Sequence, residues 1–599
     1  MGAALIAETA GRRLLAAEAD FVLADRGALV ARPVRRAEAR LAFQALVGLA
    51  LLDVAALVFH GAVSVVASRL WALHGCVVLA WLGWAFARSA WEDVRRRELW
   101  LVLPIALGIP LCFFNVDGYG ALNSESLSEL QHVLERLRQP DWGYADIFWV
   151  DYPTRGLLPN ILPTLFAGIS PLAYRIGFTV PVFCGLLFFY AGLRAYLGSS
   201  RFAAALSALG TAMLLTYPVV CTVTRTFEMA VSAFAFGLWA LGALLLCVAR
   251  PSAVGALALA WTAGLVAAGF TTGLALVALL ACAIALWLVA SAARQQWHVA
   301  TLAGGTLAYT AIVGFGMYML RESVLRPKDL SWAQQAANFV SALQMVASLT
   351  PAPDTNFTPA VLVLPTILAA VWALAGRGGL IPWLAIVWSL GVIWASVNLH
   401  GKVAPELPFV LYRVIVIVPV VVFCIVRLGA ALLSMGERAH GLHRALLVGT
   451  AGAVTAGALA AYQRASVFVP LAAPLEAEVI VKQLVARLPD YGLTPFSDAV
   501  VVDKTKNYDL ERIPALTWYF LPGWTRAESE HPFFAHDPEE RRPGIAYVMP
   551  GDPLIAETPA RYTVEARTLS IPVAADRTIE VVQLFYRPKP DDTEPGDLP

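Results

Sequence analysis

The chain has 599 residues, of which 58% are hydrophobic and only 15% charged, and its mean hydropathy is +0.66. That exceeds what a soluble protein with one or two buried cores carries, and it defines a polytopic membrane protein. The net charge of +1 leaves no nucleic-acid footprint, and all seven cysteines lie in apolar runs, against both a disulfide framework and a CxxC metal site.

Residues 1–39 read as a retained cytoplasmic amphipathic segment, because the apolar run in MGAALIAETAGRRLLAAEAD is too short and too interrupted for a signal peptide. A helix needs about 20 apolar residues to cross about 30 Å of hydrocarbon, and about thirteen segments qualify. They centre near residues 50, 79, 106, 185, 212, 238, 260, 281, 309, 368, 388, 419 and 453. The loops WEDVRRRELW, RAYLGSSR, SAARQQWH and GERAHGLHRALL are arginine-rich and alternate with poorly charged connections. They are expected on the cytoplasmic side, together with the N-terminal GRR and RPVRR. An odd number of spans then puts the chain from residue 464 onward outside.

Three outer stretches are long: 115–170, 321–358 and 464–599. In the first, SESLSELQHVLERLRQ spaces Leu127, Leu130, Leu134 and Leu137 as one face of an interfacial helix. Just before it stands Asp117, in FFNVDGYG, where an apolar run ends. Read from the residues alone, Asp117 is either a turn aspartate, DG being a strong turn signal, or a carboxylate held where lipid meets water for a reaction. The tail alternates strand-like DAVVVD, GIAYVM and RTIEVVQLFYR with helix-like APLEAEVIVKQLVARL and ERIPALTWYFL, the pattern of a small α/β domain over 464–590. Residues 591–599 read as a disordered end.

Several polar groups interrupt the apolar runs. Asp53 lies within the first span and is expected to face protein, in packing or partner contact. Arg225 and Glu228, in TYPVVCTVTRTFEMAVSAF, are three apart where a span resumes and so share a helix face. They could be a self-satisfied interfacial pair or ligands for an anion. Arg413, in PFVLYRVIVIVPVVVF, is hard to explain as lipid-facing. His400, Lys402 and Arg155 lie on outer loops, where solvated faces are the common alternative. The sequon NFT at 356–358 reads as incidental in a chain of bacterial composition.

From about 110 to 430 the order of features resembles that of the GT-C-fold, polyprenyl-phosphate-sugar-dependent glycosyltransferases, the protein mannosyltransferase and aminoarabinose transferase superfamily. The resemblance rests on VDYPTRGLLPNILPTLF leading to Arg175 at a span start, then LRAYLGSSR, the Arg225/Glu228 segment, the glycine-rich pair GLVAAGFTTGLALVALLA, and the late span at Arg413. It implies that Asp117 is the catalytic base or acceptor-orienting acid. Arg225 and Arg413 would hold the donor phosphate, Glu228 would orient it or meet sugar hydroxyls, and Arg155, Lys402 and His400 would assist. Gly118 stands where the family keeps a second acid, and Thr272 where it keeps a lysine. The first departure weakens a divalent-metal reading, and no cofactor is required.

The expected architecture is therefore a polytopic α-helical membrane protein, GT-C-like, with an extracytoplasmic α/β domain at its C-terminus. Two extra spans (40–95) precede a GT-C-like catalytic membrane domain (96–463). The implied partners are a polyprenyl-phosphate-linked sugar, a glycan, lipid or protein acceptor, membrane lipid, and a partner subunit at the N-terminal helices. A lipid-linked-glycan transporter would need inverted repeats and midplane polar groups, and a non-catalytic scaffold would keep the fold alone.

Overall fold

The computed structural model describes residues 34–58, 62–113, 171–198, 200–217, 220–221, 230–268, 271–320, 330–348, 366–372, 375, 380–398, 414–434, 440–468, 500–503, 525–526, 544–556, 562–574 and 577–589. The chain divides into a helical unit and a second compact unit that contains the C-terminal sheet.

In chain order the named helices of the first unit are α1 (Arg36–Val58), α2 (Ala62–Arg95), α3 (Val102–Phe113), α4 (Pro171–Tyr196), α5 (Ala203–Met213), α6 (Ala230–Ala249) and α7 (Ala253–Ala268). They continue with α8 (Thr271–Ala293), α9 (Trp297–Leu320), α10 (Trp332–Ser348), α11 (Leu380–Asn398), α12 (Ile417–Ser434) and α13 (His440–Phe468). Among the described residues, seven helices are long and apolar enough to cross a membrane: α1, α2, α4, α8, α9, α12 and α13. Shorter apolar helices fall on five other predicted centres, those near 106, 212, 238, 260 and 388.

Side-chain chemistry explains which helices sit in the middle. Every residue of α5 is buried, and so are nearly all of α7. A helix apolar on all sides belongs inside a bundle, and the few hydroxyls there bond their own helix: Thr211 Oγ1 donates to Ser207 O at 2.8 Å and Thr262 Oγ1 to Ala258 O at 2.8 Å. Outward-facing Leu41, Leu73, Trp84, Trp91, Leu442 and Leu459 are more than half exposed. In water such a belt would be an aggregation hazard; on a membrane protein it meets hydrocarbon.

Small residues let the backbones approach, since lipid supplies no hydrophobic drive between helices. At the crossing of α4 and α6, a Cβ on Gly192 would lie 2.7 Å from the carbonyl oxygen of Gly242. Trp239 Nε1 fixes the same pair by donating to Pro181 O at 2.8 Å. α1 and α2 are firmly joined to the rest. Tyr309 on α9 donates its hydroxyl proton to buried Asp53 at 2.6 Å, which assigns Asp53 to packing. Trp261 of α7 donates to Trp71 O at 3.2 Å, meets the Trp71 ring at a tilt and stacks on Trp239. Phe43 and Leu46 pack on Gly305 and Val54 packs on Gly316, so α1 and α9 run parallel.

The outer stretch expected over 321–358 holds a helix, α10, with an S-x-x-Q capping box. Ser331 N donates to Gln334 Oε1 at 3.0 Å, and Gln334 N to Ser331 Oγ at 3.4 Å. Trp332 is 81% exposed while Ala342 is buried, so one face is covered. The interfacial helix expected near Leu127–Leu137, and the residues before 34, lie outside the described residues.

The second unit contains a five-stranded sheet of order β2-β1-β3-β5-β4, with β1 (Val500–Asp503), β2 (Thr525–Arg526), β3 (Gly544–Val548), β4 (Tyr562–Ala574) and β5 (Arg577–Pro588). β1 pairs in parallel with β2 and β3, and β5 lies antiparallel to both β3 and β4. The three strands expected from the sequence are β1, β3 and β5. β3 and the middle of β5 are buried on both faces, which is why Ile545–Val548 reads as a continuous apolar run and Val581–Tyr586 as one broken only by Gln583. One face packs Ala546, Val548, Leu554, Tyr562, Val582, Leu584 and Tyr586 together. The two helical runs expected in this region lie outside the described residues.

Candidate functional site

The arginine-rich loops meet at one end of the helical unit. Arg201, after α4, contacts His440, the first residue of α13, at 3.1 Å, and Arg250, after α6, lies 3.8 Å from Glu92 of α2. The loop between α8 and α9 joins them at this end, because α9 runs parallel to α1 and both begin there.

At the basic end, two Schellman caps turn the chain. Beyond α2, Glu98 N donates to Asp93 O at 2.9 Å and Arg97 N to Val94 O at 3.0 Å, with Arg97 at φ 58. Gln295 plays the same part after α8, also at φ 58. The first cap fixes the α2 end over a buried ionic cluster. Arg194 Nε donates to Asp93 Oδ1 at 2.8 Å, its Nη1 donates to Gly198 O at 2.7 Å, and Tyr190 donates its hydroxyl proton to Asp93 Oδ2. Asp93 is 1% and Arg194 4% exposed. Arg88 bonds Glu92 at 3.0 Å in the half-exposed layer above. Burial raises the Glu98 carboxyl above its ordinary value against the pull of Arg194. It likewise lowers Arg250, helped by Arg88 and opposed by Glu92. Residues 93 and 194 are far apart in the chain, and neither lies in a motif that announces the other. What the sequence does offer is an uneven arginine distribution, and Arg194 sits within one of the basic loops.

The residues expected to carry chemistry, Asp117, Arg155, Arg225, Glu228, His400, Lys402 and Arg413, all lie outside the described residues. Their described neighbours have the following geometry. Phe113, four residues before Asp117, packs edge-on against Phe183 of α4 at 5.5 Å. The short 3-10 helix Val414–Val416, directly after Arg413, contacts α6, which begins two residues after Glu228, and also α8 and α11. Asn398, two residues before His400, is buried and donates to Gln335 O of α10 at 3.4 Å. Among the described residues no group of three or more His, Cys, Asp or Glu side chains could hold a metal ion.

This order of helices, followed in the chain by a C-terminal sheet, is that of the GT-C fold. The crystal structure of ArnT from Cupriavidus metallidurans bound to undecaprenyl phosphate shares it with a TM-score of 0.51 and 15% identity, over 81% of this chain and 98% of that one. The apo structure of the same protein aligns over 81% and 97% at 14% identity, with a TM-score of 0.48. No protein-family model and no curated protein matches the sequence.

Proposed function

We propose that the protein is a multi-pass membrane glycosyltransferase that moves a sugar from a polyprenyl-phosphate donor to a glycan, lipid or protein acceptor. The carrying observation is the fold likeness, over 81% of this chain, to a protein crystallised with undecaprenyl phosphate. In the proposed reaction an acceptor hydroxyl oxygen attacks the anomeric carbon. The bond from that carbon to the phosphate oxygen breaks, polyprenyl phosphate leaves, and the configuration inverts.

Asp117 takes the hydroxyl proton or aligns the acceptor, and Arg225 and Arg413 stabilise the departing phosphate, where charge develops. Glu228 orients the donor, with Arg155, Lys402 and His400 at the rim. Support for this grouping comes from the packing of the Val414–Val416 turn on α6, which brings the chain just after Arg413 against the helix that follows Glu228. The site works on the outer face of a bacterial inner membrane, the basic end being cytoplasmic and the C-terminal sheet outside. A partner subunit would dock on α1 and α2.

The test is reconstituted, correctly inserted protein given lipid-phosphate sugar. Asp117→Asn should abolish transfer, and Arg225→Ala should weaken donor binding. Wild-type turnover by Asp117→Asn would remove its catalytic role. Mass spectrometry of the purified protein should find a polyprenyl phosphate.

A further inference from the structure

At the basic end an open groove of about 440 Å³ runs between three helices, lined by Phe43 of α1, Leu288 and Ala292 of α8, and Trp297, Ala300, Thr301 and Gly304 of α9. Its walls follow helical spacing: Trp297, Thr301 and Gly304 stand at i, i+4 and i+7, and Leu288 and Ala292 at i and i+4. The lining is almost wholly apolar. Its one hydroxyl, Thr301, donates to Trp297 O of its own helix at 2.8 Å and offers no polar hold. Gly304 leaves room in the groove, since a Cβ there would find Leu288 and Phe43 only at 4.0 Å.

The mouth has the opposite chemistry. Arg36, Arg40 and Phe43 stand at i, i+4 and i+7 of α1, so both arginines lie on the groove's face, toward the basic end. The parallel register of α1 and α9 gives their height. Phe43 meets Gly305 and Val54 meets Gly316, the same offset in both pairs, which puts Arg36 level with His298. Both arginines are exposed, and Trp297 at the same mouth is 61% exposed, as an interfacial anchor would be. The nearby acid, Glu38, caps α1 by accepting from Arg35 N at 3.3 Å.

An apolar gutter at membrane depth beneath two cations on one helix face fits a molecule with an alkyl chain below and a negative charge above. We propose that this groove is a binding site for an anionic phospholipid of the leaflet at the basic end, one acyl chain lying along Gly304 and the phosphate meeting Arg36 and Arg40. The lipid joins α1 to the α8–α9 hairpin, and the site is independent of the reaction assigned to the opposite end.

The full chain, purified in detergent, is incubated with phosphatidylglycerol or phosphatidylcholine and the retained lipid is counted by native mass spectrometry. Phosphatidylglycerol should be retained in preference. The Arg36→Gln/Arg40→Gln pair, both exposed positions that leave the packing intact, should cut that preference about tenfold or more, given the attraction each arginine has for an anionic surface. Gly304→Leu should lower retention of both lipids, whereas Arg201→Gln, at the same end but off the groove, should change neither. Soluble glycerol phosphate should not compete. Equal retention of the two lipids by the wild type, or an unchanged preference in the double arginine variant, would overturn the proposal. So would displacement by glycerol phosphate, or a co-purifying polypeptide in place of lipid.

Discussion

Removing the carboxylate of Asp93 leaves Arg194 charged, 4% exposed and without its partner, and takes the acceptor from Tyr190 as well. Breaking a buried pair from one side costs about 3–5 kcal/mol, and a buried hydroxyl stripped of its acceptor adds about 1–3 kcal/mol. Asp93→Ala should therefore lose about 4–8 kcal/mol, much of a typical protein's stability margin. Asp93→Asn keeps the shape and an acceptor oxygen and should lose less. Arg194→Leu combined with Asp93→Ala removes both charges, so the double variant should be more stable than the sum of the two single losses by about 2–3 kcal/mol. Equilibrium unfolding in mixed micelles against SDS, followed by tryptophan fluorescence, compares Asp93→Ala, Asp93→Asn, Arg194→Leu and the double variant with the wild type. If Asp93→Ala stays within about 1 kcal/mol of the wild type, or the two single losses simply add, the pair is not the clamp between α2 and α4 that its burial implies.

Further outcomes follow from other contacts. Gly192→Ala would press a methyl group against Gly242 O and drive α4 from α6, with an expected cost of about 1–3 kcal/mol in the same unfolding assay. Ser331→Ala removes the capping hydroxyl of α10 and should raise hydrogen exchange across 332–338 at a local cost of about 1 kcal/mol. For Glu98, burial raises the folded-state value above the ordinary 4.5, so its protonated form favours the folded protein. Stability should accordingly fall as pH rises from 4.5 through the raised value, and Glu98→Gln should flatten that part of the profile.

The spans were legible because lipid and buried neighbours impose the same simple demand, long apolar helices, and because arginines mark the loops at one end. The sheet was legible where it is central. Val581–Tyr586 is a run of apolar residues around a single glutamine, whereas β4 carries Glu565, Arg567 and Ser570 on an edge strand and hid among polar sequence. The α10 helix had its signal in plain view, Ser331 and Gln334 before an amphipathic run, but that signal was overshadowed by the reading of 321–358 as an outer loop. Nothing local could have paired Asp93 with Arg194, since a long-range ion pair is written in the packing of α2 on α4. The catalytic candidates were read from family order rather than from contacts, and they fall in the connections that the described helices lead into.

The shared direction of α1 and α9 is also a rule of counting. Two helices that start on the same side of a membrane must have an even number of crossings between their starts, and eight named helices, α1 through α8, occupy that interval. Among the described residues, counting the short ones, α3, α5, α6 and α7, as crossings keeps that number even. Labels placed before Arg36 and in the turn at Gln295 must then report the same compartment, whichever compartment it is.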